Sequence, residues 1–302
     1  MESINEEKNK KWLTFKIWSR KADFKILKFI AVLVIIVASI IIIKDEITWQ
    51  FNSNENGLAV ESTEQNSEEK SCNVLGIELH GNLVTYISPA DFDKDGNLLS
   101  DQTASENIVY SINEAEKDEN IKAIIIEIDS YGGSPVAAEE VSNVLKNAKK
   151  PTVALIRNGG VSAAYFVATG ANKIFASKNS DVGSIAVTMS YLDNVGQNQK
   201  EGLTYNQLSS GKFKDTGDPD KALSAEEIKL LMRDVNIIHQ NFIKAVSENR
   251  KLDIKKVEDL ADGSTMLGEM ALNNGLIDEI GGLFEVKEYL KEKIGADVEI
   301  CW

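Results

Sequence analysis

Cysteine and histidine are scarce: Cys72, Cys301, His80 and His239 are the whole supply in 302 residues. So few thiols exclude a Cys-rich zinc module and a disulfide-dense small scaffold, and two histidines cannot build a multi-His metal centre. Positive charge is also short, with 33 Lys and Arg against 47 Asp and Glu and a net charge of −14. That balance argues against nucleic acid as a partner, because neutralising phosphates requires clustered basic residues. Apolar material is ample. At 43% hydrophobic and 26% charged, the chain can bury a core and is too apolar to be disordered. Its length suits one large or two modest domains.

Residues 26–43 read ILKFIAVLVIIVASIIII, an apolar run interrupted only by Lys28. It approaches the roughly 20 residues a helix needs to cross a bilayer and has no polar face, so it is expected to be a transmembrane anchor. The preceding region is long, and no small-x-small cleavage site follows the run, which favours an anchor over a cleaved signal peptide. Residues 1–28 carry eight Lys and Arg against four acids. Their net +4 leaves −18 for the rest of the chain. The positive-inside rule then places the N-terminus in the cytoplasm and the rest outside, a single-pass cell-membrane protein. The expected organisation is a cytoplasmic basic tail (1–25), the anchor (26–43), a polar tether (44–71) and an extracytoplasmic domain (72–302).

Within that domain, VLGIELHG (74–81) alternates like a strand, and IKAIIIEID (121–129) reads as a strand covered on both faces. Ser134-Pro135 marks a helix start, followed by helical spacing to Lys150. PTVALI (151–156), KIFAS (173–177) and SIAVTMS (184–190) are expected strands, and SAAYFVATG is a short helix closed by Gly170. This alternation predicts an α/β fold of βαβ units. A polar stretch follows Lys200. Then Ser224 and Glu227 form a capping box for a long helix whose stripe of Ile228, Leu231, Val235, Ile238 and Phe242 is expected to be core. His239, beside the stripe, reads as a helix-surface histidine.

Three features carry chemistry. Ser162 follows Gly159-Gly160-Val161 and opens a helix, where nearby N–H groups favour a developing oxyanion, although an N-cap serine has the same local pattern. Asp129-Ser130-Tyr131-Gly132-Gly133-Ser134 lies where a buried strand gives way to a helix, and its glycines allow the backbone to aim N–H groups at a ligand. Both turns sit at carboxyl ends of strands, where α/β sheets bind ligands. With two histidines in unconvincing positions, a lysine is the alternative base for Ser162, provided its ammonium form is disfavoured. Lys214, Lys212 and Lys200 all qualify by position.

Taken together, IIIEIDSYGGSPVAAEEV, PTVALIRNGGVSAAYFVATGANKIFASKNSDVGSIAV, SSGKFKDTGDP and ADGSTMLGEMALNNGLIDEIGG resemble, in order and spacing, the short single-domain signal peptide peptidase A branch of peptidase family S49. The likeness runs from about Val74 to Ile294. It implies a crotonase/Clp-protease-like β-α-β superhelical domain, subunits assembled in a ring-shaped homo-oligomer, peptide and protein substrates, and no metal or organic cofactor. By position it implies Ser162 as nucleophile, Lys214 as general base and Ser184 as a hydroxyl holding that lysine. The oxyanion hole would draw on the glycine pair, Gly132 and Gly133, and on Ala163. The chain departs from the family pattern at Tyr131, where proline is usual, and at Ala163-Ala164, where glycines are common. Remnant signal peptides and other exported or misfolded chains are the expected substrates. The other classes considered are a catalytically silent membrane scaffold of this fold, a crotonase-like acyl-CoA enzyme, which an external domain disfavours, and a histidine-dependent triad enzyme. Cys72 and Cys301, at opposite ends of the domain, either pair or remain free.

Overall fold

A parallel sheet organises residues 72–302, the part of the chain that the computed structural model describes. The expected anchor at 26–43, with the tail 1–25 and tether 44–71, lies outside these residues, and no helix among the described residues is long and apolar enough to cross a membrane. Strand β1 (Val74–His80) turns at Gly81, with φ of +65°, into the short β2 (Asn82–Val84). β3 (Gln102–Ala104) pairs with β2 in a separate two-stranded sheet and runs into helix α1 (Ser105–Lys117). Next come β4 (Ala123–Ser130), α2 (Pro135–Asn147), β5 (Thr152–Val161), α3 (Ala163–Thr169) and β6 (Lys173–Ala176). After β7 (Asp181–Gly183) come α4 (Val195–Glu201), α5 (Ala225–Arg250) and α6 (Ile254–Leu260). The chain finishes with β8 (Thr265–Leu267), α7 (Gly268–Asn274), β9 (Glu279–Ile280), α8 (Leu283–Ile294) and β10 (Ile300–Cys301).

The main path of the sheet is β10-β1-β4-β5-β6-β9, and every pairing on it is parallel. Its centre explains the unbroken β-branched run of β4. Ile124, Ile126 and Ile128 join one core with Leu145 of α2 and Val167 and Ala168 of α3. Ala123 and Ile125 point the other way, into a second core with Val286 and Leu290 of α8. With both faces covered there is no solvent side to demand a polar alternation. Each fully buried isoleucine contributes roughly 1.5–3 kcal/mol.

β5 has two neighbours in succession. Val153–Ile156 pair with β6, whereas Gly159–Val161 pair with β7, which in turn carries β8 antiparallel. The strand therefore runs through the two glycines expected to form a turn, and its far end delivers Ser162 beyond the central sheet.

Two segments differ from expectation. SIAVTMS is not a strand: β7 ends at Gly183, and Gly183 and Ser184 have φ of +97° and +52°, consecutive left-handed residues that break an extended ladder. The stripe on α5 is core only in its later part, with Val235 and Phe242 buried while Ile228 is 47% exposed. The helix begins at the expected capping box, Ser224 Oγ accepting from Glu227 N–H.

The two cysteines are joined. Parallel pairing of β1 with β10 puts Leu75 opposite Cys301, and Cys72 and Cys301 form a disulfide with Cα atoms 5.6 Å apart.

Candidate active site

Ser162 is the residue between β5 and α3, and its backbone is unusual. Its φ is +55° with ψ of −123°, a conformation that costs a non-glycine residue of order 1–3 kcal/mol and clusters at functional sites. The N-cap reading fails, since the hydroxyl makes no capping bond to the helix. The backbone is nonetheless pinned, with the Ser162 N–H donating to Gly183 C=O at 2.8 Å and its C=O accepting from Phe166 N–H at 3.0 Å. The hydroxyl is left to face a cleft of about 670 Å³ that also contains Gly133, Ala163 and Ser184.

The glycine turn after β4 forms the opposite wall. Gly132 and Gly133 have φ of +120° and +150°, reached here at little steric cost only by glycine. A methyl group on Gly132 would lie 3.0 Å from Ser162 Cβ and 3.3 Å from its Oγ, so the turn sits directly against the serine. β2 clamps the turn: Leu83 N–H donates to Gly132 C=O at 2.9 Å, and Ser134 N–H donates to Leu83 C=O at 2.7 Å. The Gly132 N–H is occupied by Ser130 Oγ at 3.1 Å, which removes Gly132 from the expected donors. The N–H groups of Gly133 and Ala163 have no backbone acceptor in the turns around them. Asp129 Oδ1 accepts from Gly159 N–H at 3.2 Å and ties the end of β4 to β5.

Tyr131 replaces the proline of the resembled pattern and does a different job. Its hydroxyl accepts from Asn158 Nδ2 at 2.8 Å and its ring lies over Gly159, where an added Cβ would come within 3.2 Å. The ring thus forms a fixed wall of the cleft.

Ser184 is in the cleft too, but its hydroxyl donates to Gly263 C=O at 2.8 Å and touches no lysine. Lys214 is exposed, in the turn after α4, and is not among the residues lining the cleft. The structure therefore brings together Ser162, Gly133, Ala163 and Ser184, and leaves Lys214 apart. Of the competing lysines, Lys212 pairs with Glu226 at 2.5 Å and Lys200 lies exposed on α4. Beside Lys214 the loop is held firmly. Lys221 Nζ bridges Asp215 at 3.1 Å and Glu227 at 2.6 Å, and Tyr205 donates to Asp215 at 3.1 Å. Hydrogen bonding to Glu227 raises the Lys221 pKa, so Lys221 stays an ammonium and cannot serve as a base.

His239 is half-buried, with Nε2 3.2 Å from Ile185 C=O. The ring steadies the backbone next to Ser184, a role that depends on a contact 54 residues away and leaves no local signal in sequence. Asn158 and Gly183 were likewise not singled out by sequence reasoning, because their partners, Tyr131 and Ser162, arrive from other elements. For a metal, the described residues offer one candidate group, Glu78, His80 and Glu127, with ligand atoms within 4.8 Å of one another. Arg157 already holds Glu127 at 2.8 Å, and the group lies on the α8 face of the sheet.

The sequence model of peptidase family S49 matches residues 144–298, just over half of the chain, and the chain belongs to that family. A protein of Enterococcus faecium provisionally named signal peptide peptidase SppA is 30% identical over 236 residues, 77% of this chain and 67% of that protein. A provisionally named protease of Methanocaldococcus jannaschii is 32% identical over 189 residues, 62% of this chain and 61% of its own length. Protease 4 of Salmonella typhi is 30% identical over 190 residues, but these are only 30% of its length.

Proposed function

We propose that this protein is a membrane-anchored serine endopeptidase that cleaves peptide bonds in remnant signal peptides or other exported polypeptides, with Ser162 and Lys214 as a dyad. The observation that carries the reading is the strained Ser162, its hydroxyl uncommitted and facing one cleft with the N–H groups of Gly133 and Ala163, in a chain of the S49 family.

Neutral Lys214 takes the Ser162 proton as Oγ attacks the substrate carbonyl. The oxyanion forms against the N–H groups of Gly133 and Ala163, each such donor contributing roughly 10²–10³ in rate. The protonated lysine then returns the proton to the leaving amine, and water activated by the same lysine hydrolyses the acyl ester. Because Lys214 is exposed and outside the cleft of its own subunit, we infer that ring assembly delivers it, burying the ammonium enough to favour its neutral form. On this reading residues 26–43 anchor the chain, the domain winds like the crotonase and Clp-protease folds, and catalysis takes place outside the cytoplasm. The disulfide, which persists only under oxidising conditions, supports that last point.

The test is cleavage of a fluorogenic peptide by the full chain in detergent. Wild type cleaves, Ser162→Ala and Lys214→Ala lose activity while staying assembled, and His239→Ala retains hydrolysis. Equal rates for wild type and Ser162→Ala overturn the assignment.

A further inference from the structure

The cleft beside Ser162 contains a side chain that the proposed chemistry does not use. Pro135, Val136 and Glu139 face the cleft from the first turns of α2, as residues spaced by one and four on a helix do. Glu139, an exposed residue, is the one acidic or basic side chain lining the cleft. Its neighbour Glu140 is committed, accepting from Ser105 Oγ at 2.6 Å. Glu139 has no hydrogen-bond or ion-pair partner among the described residues. The same lining includes apolar groups: the exposed Val136, Ile238 and the pair Phe166 and Phe242, stacked with ring centroids 5.2 Å apart. Asn241 adds an amide to the same stretch.

We infer that Glu139 gives the cleft a subsite for a basic side chain, so that the enzyme selects polypeptides carrying Lys or Arg close to the scissile bond within an otherwise apolar stretch. The inference deepens the peptidase reading and rests on it. A Lys or Arg stem lies along the apolar walls while its charged end meets the carboxylate. A bound peptide displaces water from the cleft, lowering the local dielectric and strengthening the pair beyond an exposed ion pair. The same carboxylate, desolvated without a partner, opposes an acidic side chain, so discrimination comes from repulsion as well as attraction.

The experiment uses full chain in detergent and fluorogenic peptides that differ only in Lys, Leu or Glu, scanned through the positions flanking one scissile bond. Wild type is expected to favour Lys over Glu in kcat/KM by about tenfold at one position. Glu139→Gln removes most of that preference and Glu139→Lys inverts it. Anisotropy binding of the same peptides to Ser162→Ala protein reads the subsite without turnover. Hydrolysis with the same Lys-to-Glu ratio in wild type and Glu139→Lys overturns the subsite and spares the peptidase assignment. Glu139-dependent binding of Lys peptides that wild type never hydrolyses sustains the subsite and overturns the peptidase assignment.

Discussion

The N–H of Ser162 donates to the carbonyl of Gly183 at 2.8 Å, and this bond joins the two strained turns of the site. Gly183 closes β7 and precedes Ser184, whose φ of +52° matches the left-handed φ of Ser162. Neither conformation would persist in isolation. Pairing of β5 with β7 ends just before each serine and brings the two residues to one cleft.

Gly132 is a glycine whose missing side chain bears directly on Ser162. In Gly132→Ala the new methyl meets Ser162 Cβ at 3.0 Å and Ala163 N at 3.3 Å, at a φ that alanine rarely adopts. Displacement of Ser162, the proposed nucleophile, and of Ala163 N–H, a proposed oxyanion donor, should lower kcat by about 10²-fold. Circular dichroism should show an intact fold, and wild-type kcat in the variant would refute the placement of the turn.

If assembly supplies Lys214 to a neighbour's Ser162, two dead variants complement each other. Ser162→Ala and Lys214→Ala chains, mixed and reassembled at equal amounts, should recover about a quarter of wild-type activity, the share of sites that draw both intact residues from random neighbours in a ring. No recovery despite demonstrated mixing means that each subunit uses its own lysine.

The Cys72–Cys301 disulfide closes a sequence separation of 229 residues, tying the segment just before β1 to the edge strand β10. Its loss should cost about 2–5 kcal/mol, chiefly by freeing the unfolded chain. In the Cys72→Ser/Cys301→Ser protein this lowers Tm by about 10 °C, measured by calorimetry, and a reductant should reproduce the shift in wild type only.

Glu227, 4% exposed, is held ionised by the Lys221 ammonium and by Ser224, which bring its pKa down to about 2 from the ordinary 4.5. A lowered carboxyl pKa stabilises the fold fully above pH 4.5 and progressively less as pH falls towards 2. The Tm gap between wild type and Glu227→Gln should therefore be widest near neutrality and narrow on acidification below 4.5. A gap that widens in acid contradicts this account. Because Lys221 also binds Asp215, next to Lys214, the same variant should loosen the loop that carries the proposed base and reduce kcat at neutral pH.

Much of the fold was legible because its signals are local. The run at Ile124–Ile128 announces a strand covered on both faces, Ser134-Pro135 and the Ser224/Glu227 box announce helix starts, and each acts within a few residues of itself. SIAVTMS misled for the opposite reason. Its alternation is real, but the left-handed backbone at Gly183 and Ser184 is imposed by β5 and by the Ser184 N–H donating to Ser264 C=O at 3.0 Å.

The chemistry divides along the same line. Order and spacing of the motifs by themselves carried the likeness to the S49 family and the α/β class and singled out Ser162 as a candidate, because residue type and short-range spacing carry that information. Tertiary structure alone decided that Gly133 rather than Gly132 is free to donate, that Ser184 turns to Gly263, that Cys72 meets Cys301, and that Glu139 lines the same cleft as Ser162. These depend on hydrogen bonds and packing between segments far apart in sequence, and only the closed sheet brings such segments together.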